Sequence, residues 1–526
     1  MAALFHYGSD HLTVSTSLAI ANGTCKGVID EQAIKRVTAA EQEVNQIVNS
    51  GQVVYGINTG FGILASTAIS AEDTSLLQHK ILQSHSVGVG QSLTPEVAKL
   101  MLITKMHSLA KGYSGIRLAT LQRIGWHIDN DVIPIVPEKG SVGASGDLSP
   151  LAHLFLPLIG LGEVLVPDTA SKGYLRMPAA DYLASCGLSP LSLGPKEGLA
   201  LINGTQFILS FAIKAVQRLH NCLEAADIIG SMSLEALTGT KTPFDLRLHA
   251  LRPFSGNQLV AQRLRILLND SAIMASHVDC GRVQDPYSLR CMPQVHGASR
   301  NSWLHLSELT QIELNAVTDN PILLEGGEAI SGGNFHGQPL ALPLDYACVA
   351  AAELGNISDR RCYLLLEGKW GLPVLLMQNV GLNSGYMIPQ YTTAALVTEN
   401  KTLCFPASAD SIPTSLGQED HVSMGSISGR KVNQIIDNLE YILAIELLSA
   451  AQAIEFRRPL KSSALLEFAH SFLRGHVSFA NEDRIFAVDV EKAAGLLRSF
   501  DFVNSVSQFA KEQGLALNKG YEQFEL

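Results

Sequence analysis

The sequence predicts a mainly α-helical protein: a long central helical bundle with a loop-rich N-terminal region. Two observations carry this. Apolar residues recur at helical period along 199–237, a run without proline, and again along 303–317 and 431–453. Glycine and proline gather instead in the segments that carry unusual motifs, around Tyr55 and Ser145. No internal repeat and no low-complexity linker divides the chain.

The first element is a helix over 31–49, where Ile34, Val37, Val44 and Ile47 lie near helical spacing. The loops around Tyr55 and Ser145 follow. A loose boundary falls near residue 195, between a loop-rich region (1–195) and a helical body with its tail (196–526). It is a boundary of organisation, and the two parts are expected to fold as one cooperative unit. In the body, Val432, Ile435, Leu439, Ile442 and Leu443 keep a 3.6-residue period. Helices this long cannot bury their apolar faces alone, so they should pack as a bundle, with partners often drawn from other subunits. Motifs on loops held by rigid helices are a usual arrangement for function.

The 526 residues are ample for a large core. A net charge of −11 with no basic run argues against a nucleic-acid partner. The eight cysteines are scattered and none stands in C-x-x-C spacing, which reads as free thiols in a reducing compartment. No basic-then-apolar leader opens the chain, and no uninterrupted apolar stretch reaches about 18 residues. A soluble, cytoplasmic protein without a membrane partner is expected.

The chemistry centres on 140–154, G-S-V-G-A-S-G-D-L-S-P-L-A-H-L. No ordinary side chain is a good electrophile, and an enzyme that needs one takes a cofactor or builds one. Ala144-Ser145-Gly146 can build one. The Gly146 amide nitrogen attacks the Ala144 carbonyl and water leaves; Ser145 then loses its hydroxyl as a second water. The product is a five-membered ring with an electron-poor exocyclic methylene. Closure needs a sharp bend, which Gly143 and Gly146 permit.

This segment resembles the cofactor loop of the aromatic amino acid ammonia-lyase and aminomutase family, most closely its histidine branch. Six further blocks are similar, in family order, between about residues 50 and 460: Y-G-I-N-T-G-F-G at 55–62, S-H-S-V-G-V-G from Ser84, L-I-N-G-T-Q from Leu201, Q-D-P-Y-S-L-R-C from Gln284, G-G-N-F-H from Gly332 and G-Q-E-D-H-V-S-M from Gly417. Residues 370–378 and the tail after about 500 match poorly. The resemblance implies a homotetramer with active sites shared between chains. It implies a 4-methylidene-imidazol-5-one formed autocatalytically from Ala144-Ser145-Gly146, and no external cofactor. The implied activity is elimination of ammonia from L-histidine to trans-urocanate, the first step of histidine degradation. Tyrosine or phenylalanine ammonia-lyase activity, or an aminomutase, is the alternative. An inactive relative acting as a binding protein is disfavoured by the intact motifs.

The resemblance also assigns roles. The β-proton of the substrate is scarcely acidic, so a strong base is required, and Tyr55 is the candidate. A free phenol titrates near about 10, so serving near neutrality needs about 4 kcal/mol of local stabilisation; glycines at 56, 60 and 62 would let backbone N–H groups approach. Glu419 bears on the substrate: a carboxylate can pair with imidazole or ammonium, whereas facing a phenyl ring it would be desolvated without a partner. His85 would face the substrate ring. Arg290 offers a bidentate fork for the substrate carboxylate. Gln284, Tyr287 and Asn203 would line the pocket, and Phe335 would form an aromatic wall. A zinc site from His277, Cys280, Cys291 and His296 is a rival spacing. It is disfavoured because 285–290 already has a role in the family pattern, and no metal is expected.

Overall fold

The computed structural model describes the chain except residues 1–2, 51–52, 61–68, 71–72, 169, 172, 279–280 and 325. It is mainly helical, with only short strands in small sheets among the described residues. Two compact units emerge. The first comprises 1–214, 308–344 and 406–430; the second 215–307, 345–405 and 431–526. Residue 195 lies within the first.

The first unit is organised around the helix Pro95–Leu109, in which every residue from Val97 to Leu109 is buried. Thr94 starts it by accepting the Val97 N–H on its side chain, and Pro95 occupies the first turn, where its missing donor costs nothing. The helix expected at 31–49 is present as Glu31–Ser50. Its apolar stripe, Ala40, Val44 and Ile47, packs on Ile57 and Leu323 and so anchors the loop that carries Tyr55.

The run 199–237 is not one helix. A short helix, Glu197–Ile202, ends at Asn203 in an extended conformation, and a new helix spans Gln206–Ala236. Gly204, at φ +133°, makes the break. Apolar periodicity continues across it, so pattern alone did not reveal it. The other two runs lie within Met292–Leu314, whose helix stops three residues short of 317, and Gly425–Glu455. Sequence reading passed over Gln338–Leu366, which contains Pro343. This helix is long and apolar enough to cross a membrane, but its most apolar window is 72% buried within the protein and its sequence includes Asp345, Asp359 and Arg361. It is therefore a core helix.

The second unit buries charge as a connected network. Asp227 accepts from Arg263 Nε (2.7 Å), Arg300 Nη2 (2.6 Å) and His296 Nδ1 (2.8 Å). Glu224 pairs with the same two arginines at 2.7 and 2.9 Å. Arg361 donates to Glu446 (2.5 Å) and to His296 Nε2 (3.3 Å), so the His296 ring is a neutral bridge. Burial would raise the Asp227 carboxyl, but Arg300, His296 and Arg263 hold it below the usual carboxylate range. Both histidines of the rival zinc spacing are engaged elsewhere: His296 in this network, and His277 against the carbonyls of Ile273 and Gly239. Cys280 lies outside the described residues.

Candidate active site

The backbone at 143–146 is curled. Gly143, Ser145 and Gly146 have φ of +84°, +48° and +83°. A Cβ at Gly146 would lie 2.0 Å from the Gly204 carbonyl oxygen, and one at Gly143 2.2 Å from Ser423 Oγ, so glycine is required at both. Ser145 keeps a side chain in the left-handed region, at a cost of about 1–2 kcal/mol. Strain of this kind at a cyclisable tripeptide fits the bend that ring closure needs.

Residues 203–204 clamp the curl. Gly204 donates its N–H to the Ser145 carbonyl (3.2 Å) and accepts the Asp147 N–H (2.7 Å). The fully buried Asp147 carboxylate takes the N–H groups of Phe207 (3.1 Å) and Ile208 (3.0 Å), capping the first turn of Gln206–Ala236, and accepts from Ser141 Oγ (3.3 Å). Burial still pushes this carboxyl up to about 7. Behind the clamp, Lys105 Nζ donates to the Asn203 carbonyl at 2.5 Å. The side-chain Oδ1 of the buried Asn203 has no hydrogen-bond partner among the described residues, which leaves a buried acceptor beside the tripeptide's clamp.

In front of the tripeptide is a cavity of about 470 Å³. Tyr55, Lys80, His85, Ser145 and Glu419 line it with Ile81, Leu148 and Leu199. Tyr55, half-buried, sits on a tight loop in which Asn58 Oδ1 accepts the Val54 N–H (2.9 Å) and Thr59 Oγ1 accepts the Gly56 N–H (3.1 Å). Gly56 is forced: φ is +72° and a Cβ would lie 2.3 Å from Leu199 Cδ2. Phe61 and Gly62 of that motif lie outside the described residues. His85 closes the helix Thr74–His85, with Nδ1 3.0 Å from Ser84 Oγ. Burial lowers its pKa, outweighing the Ile81 carbonyl and the attraction of Glu419, so the ring is neutral at pH 7. Glu419 follows a turn in which Ser415, Leu416 and Gly417 all have positive φ. One carboxylate oxygen accepts from Thr414 Oγ1 (3.0 Å) and the other lies 3.5 Å from Ser145 Oγ.

Tyr55, His85, Ser145 and Glu419, far apart in sequence, thus share one cavity. Asn203 lies behind the tripeptide, and Phe335 is half-buried in the loop before Gln338–Leu366 without lining the cavity. Gln284, Tyr287 and Arg290 belong to the second unit. There Gln284 is exposed, Tyr287 is 72% exposed, and the Arg290 guanidinium stacks 4.5 Å over the Tyr287 ring while its Nε donates to the Asp285 carbonyl (3.0 Å). Sequence reasoning missed Lys80, Lys105 and Asp147. Asp147 follows the tripeptide directly, and a lysine within the mainly apolar stretch 97–109 was the available sign for Lys105.

Comparison with known proteins converges on one group. A family profile described as aromatic amino acid lyase matches residues 12–475. A histidine ammonia-lyase of Vibrio cholerae serotype O1 is 46% identical over 473 residues, 89% of this chain and 91% of the relative. Among solved structures, histidine ammonia-lyase from Trypanosoma cruzi aligns with a TM-score of 0.89 at 40% identity, covering 99% of this chain and 97% of that one. Tyrosine aminomutase from Streptomyces globisporus aligns with a TM-score of 0.90 at 32% identity, covering 96% and 99%.

Proposed function

The chain belongs to the aromatic amino acid lyase family, and we infer that it acts as a histidine ammonia-lyase, a carbon–nitrogen lyase that converts L-histidine to trans-urocanate and ammonia. The observation that carries the choice of substrate is the Glu419 carboxylate, 3.5 Å from Ser145 Oγ in the cavity that His85 also lines. A charge there can pair with an imidazole or an ammonium; opposite a phenyl ring it would stand desolvated at a cost of several kcal/mol.

The curled backbone at 143–146 supports a 4-methylidene-imidazol-5-one formed from Ala144, Ser145 and Gly146. That group supplies an electrophilic methylene that makes the amine a leaving group. The remaining roles fall to side chains. Tyr55 takes the β-proton. Glu419 and the neutral His85 orient the imidazole and the amine. Arg290 binds the carboxylate, with Gln284, Tyr287 and Asn203 shaping the pocket and Phe335 acting as a wall. Glu419→Gln should cost about 10- to 150-fold in kcat/KM for histidine, from loss of one charged hydrogen bond. The penalty on phenylalanine and tyrosine should shrink, because no unpaired carboxylate then faces the ring. Kinetics on all three amino acids with product identification test this; a wild type that prefers phenylalanine or tyrosine, or an unmoved ratio, sinks the assignment.

We place the enzyme in the cytoplasm as a homotetramer with active sites shared between chains. Two observations support sharing. Tyr287 is largely exposed beside Arg290, as expected of groups that reach into a neighbour's site. Leu342, Tyr346 and Val349 share one face of Gln338–Leu366 and are each 49–55% exposed, an apolar patch that a partner would cover. Refolding an inactive Tyr55 variant together with an inactive Arg290 variant should restore part of the activity. Mixed oligomers without activity would assign each site to a single chain.

A further inference from the structure

Lys105 lies in the middle of Pro95–Leu109, the buried helix of the first unit, and is 2% exposed. A buried ammonium ordinarily sits against a carboxylate, as the neighbouring Lys196 does with Asp319 at 2.6 Å. Among the described residues Lys105 makes no such pair, and its hydrogen bond goes to the Asn203 backbone carbonyl at 2.5 Å. That carbonyl belongs to the same peptide group as the Gly204 N–H, which donates to the Ser145 carbonyl at 3.2 Å. One peptide plane therefore joins the ammonium to the Ser145 oxygen. Positive charge on a peptide oxygen polarises its N–H and strengthens the bond that N–H makes. When Ala144, Ser145 and Gly146 close into a ring, the Ser145 carbonyl is the ring oxygen conjugated to the methylene, so electron density drawn from the methylene end collects there.

We propose that Lys105 is a positioning residue for the elimination, stabilising negative charge on the Ser145 carbonyl oxygen through the Asn203–Gly204 peptide. The proposal rests on the cofactor reading above. Burial without a directly paired carboxylate among the described residues, on a helix whose other core-facing residues are mostly apolar, is otherwise a cost that the more distant Asp319 and Asp147 offset only in part. Burial lowers the ammonium to about 8, with Asp319 and Asp147 opposing and Lys196 adding to the shift. The charge is thus present at neutral pH and is lost as pH rises through about 8.

The test uses the full-length enzyme with Lys105→Met and Lys105→Arg, read by intact mass, the near-ultraviolet band of the ring, and steady-state kinetics. Expected for Lys105→Met are the two-water mass deficit of the wild type, a displaced band, kcat down by about 10-fold or more, and KM within about threefold. Lys105→Arg should recover most of kcat. In the unsubstituted enzyme the band should move as pH rises through about 8, and in Lys105→Arg it should not. That native titration decides the matter even where Lys105→Met fails to fold. A flat native band, a Lys105→Met enzyme with wild-type kcat, or an arginine variant as impaired as the methionine one overturns the proposal. A wild-type mass without the deficit instead overturns the cofactor reading beneath it.

Discussion

Charge is buried differently in the arginine network of the second unit and around the tripeptide of the first, although the first also holds the Lys196–Asp319 pair. In the second, Arg263, Arg300 and Arg361 each meet a carboxylate, and His296 joins the two halves of the network, so the charges lock helices to one another. In the first, the groups around the tripeptide are held without an opposite charge: Lys105 on a carbonyl, Asp147 on backbone N–H groups and a serine hydroxyl. Their pKa values move toward neutrality, to about 8 and about 7, while that of Asp227 is driven the other way. Complete pairing favours rigidity; incomplete pairing leaves electrostatic influence to act on something else, and beside the cavity that something is the tripeptide, whereas the similarly held Glu235 of the second unit does not line the cavity.

The contrast can be broken most sharply at Ser145. Ser145→Ala should fold normally and lose activity altogether, because alanine has no hydroxyl to eliminate. Intact mass and turnover check this, and a fully active wild type with an undehydrated mass would falsify the cofactor claim. Next in size is a pair of stability measurements. Arg361→Met strands Glu446 in the bundle and should lower unfolding free energy by about 3–5 kcal/mol. Lys105→Met removes an unpaired charge at the expense of one hydrogen bond, and should cost less than about 1 kcal/mol. Denaturant titration of both decides; equal losses would erase the distinction between the regions. Tyr55→Phe is expected to reduce kcat by at least about 10²-fold, with substrate binding changed much less. Near-normal turnover in that variant would remove Tyr55 from the base role.

Much of this was legible before any coordinates. The helices Glu31–Ser50 and Met292–Leu314 announced themselves by apolar period, because each presents one face to a core, and Gly425–Glu455 kept the period although it is buried all round from Ile442 to Ile454. The break at 203–205 was not legible from period. Asn203 and Gly204 interrupt the helix where Gly204 meets Gly146, a contact between segments distant in sequence. Gln338–Leu366 was passed over although its apolar content is high. Tyr55, His85 and Glu419 were legible by residue type and motif, whereas their convergence on Ser145 depends on tertiary folding. Lys105 escaped notice because lysine is ordinarily a surface residue, and only the packing of Pro95–Leu109 revealed it as interior.

Under the proposed ring closure of Ala144, Ser145 and Gly146, the close approach of Gly146 to Gly204 also gives each molecule a history. The curl is stabilised by a partner segment that reaches it only once the first unit has assembled, so an unfolded chain lacks the template for ring closure. Dehydration, once done, is covalent and outlasts denaturation. In a mixed preparation the fraction of polypeptide lighter by two waters therefore counts the chains that have folded at least once, including those since unfolded or aggregated. Substitutions at Gly204 should reduce that fraction even in protein that remains in solution, separating failure to mature from failure to persist.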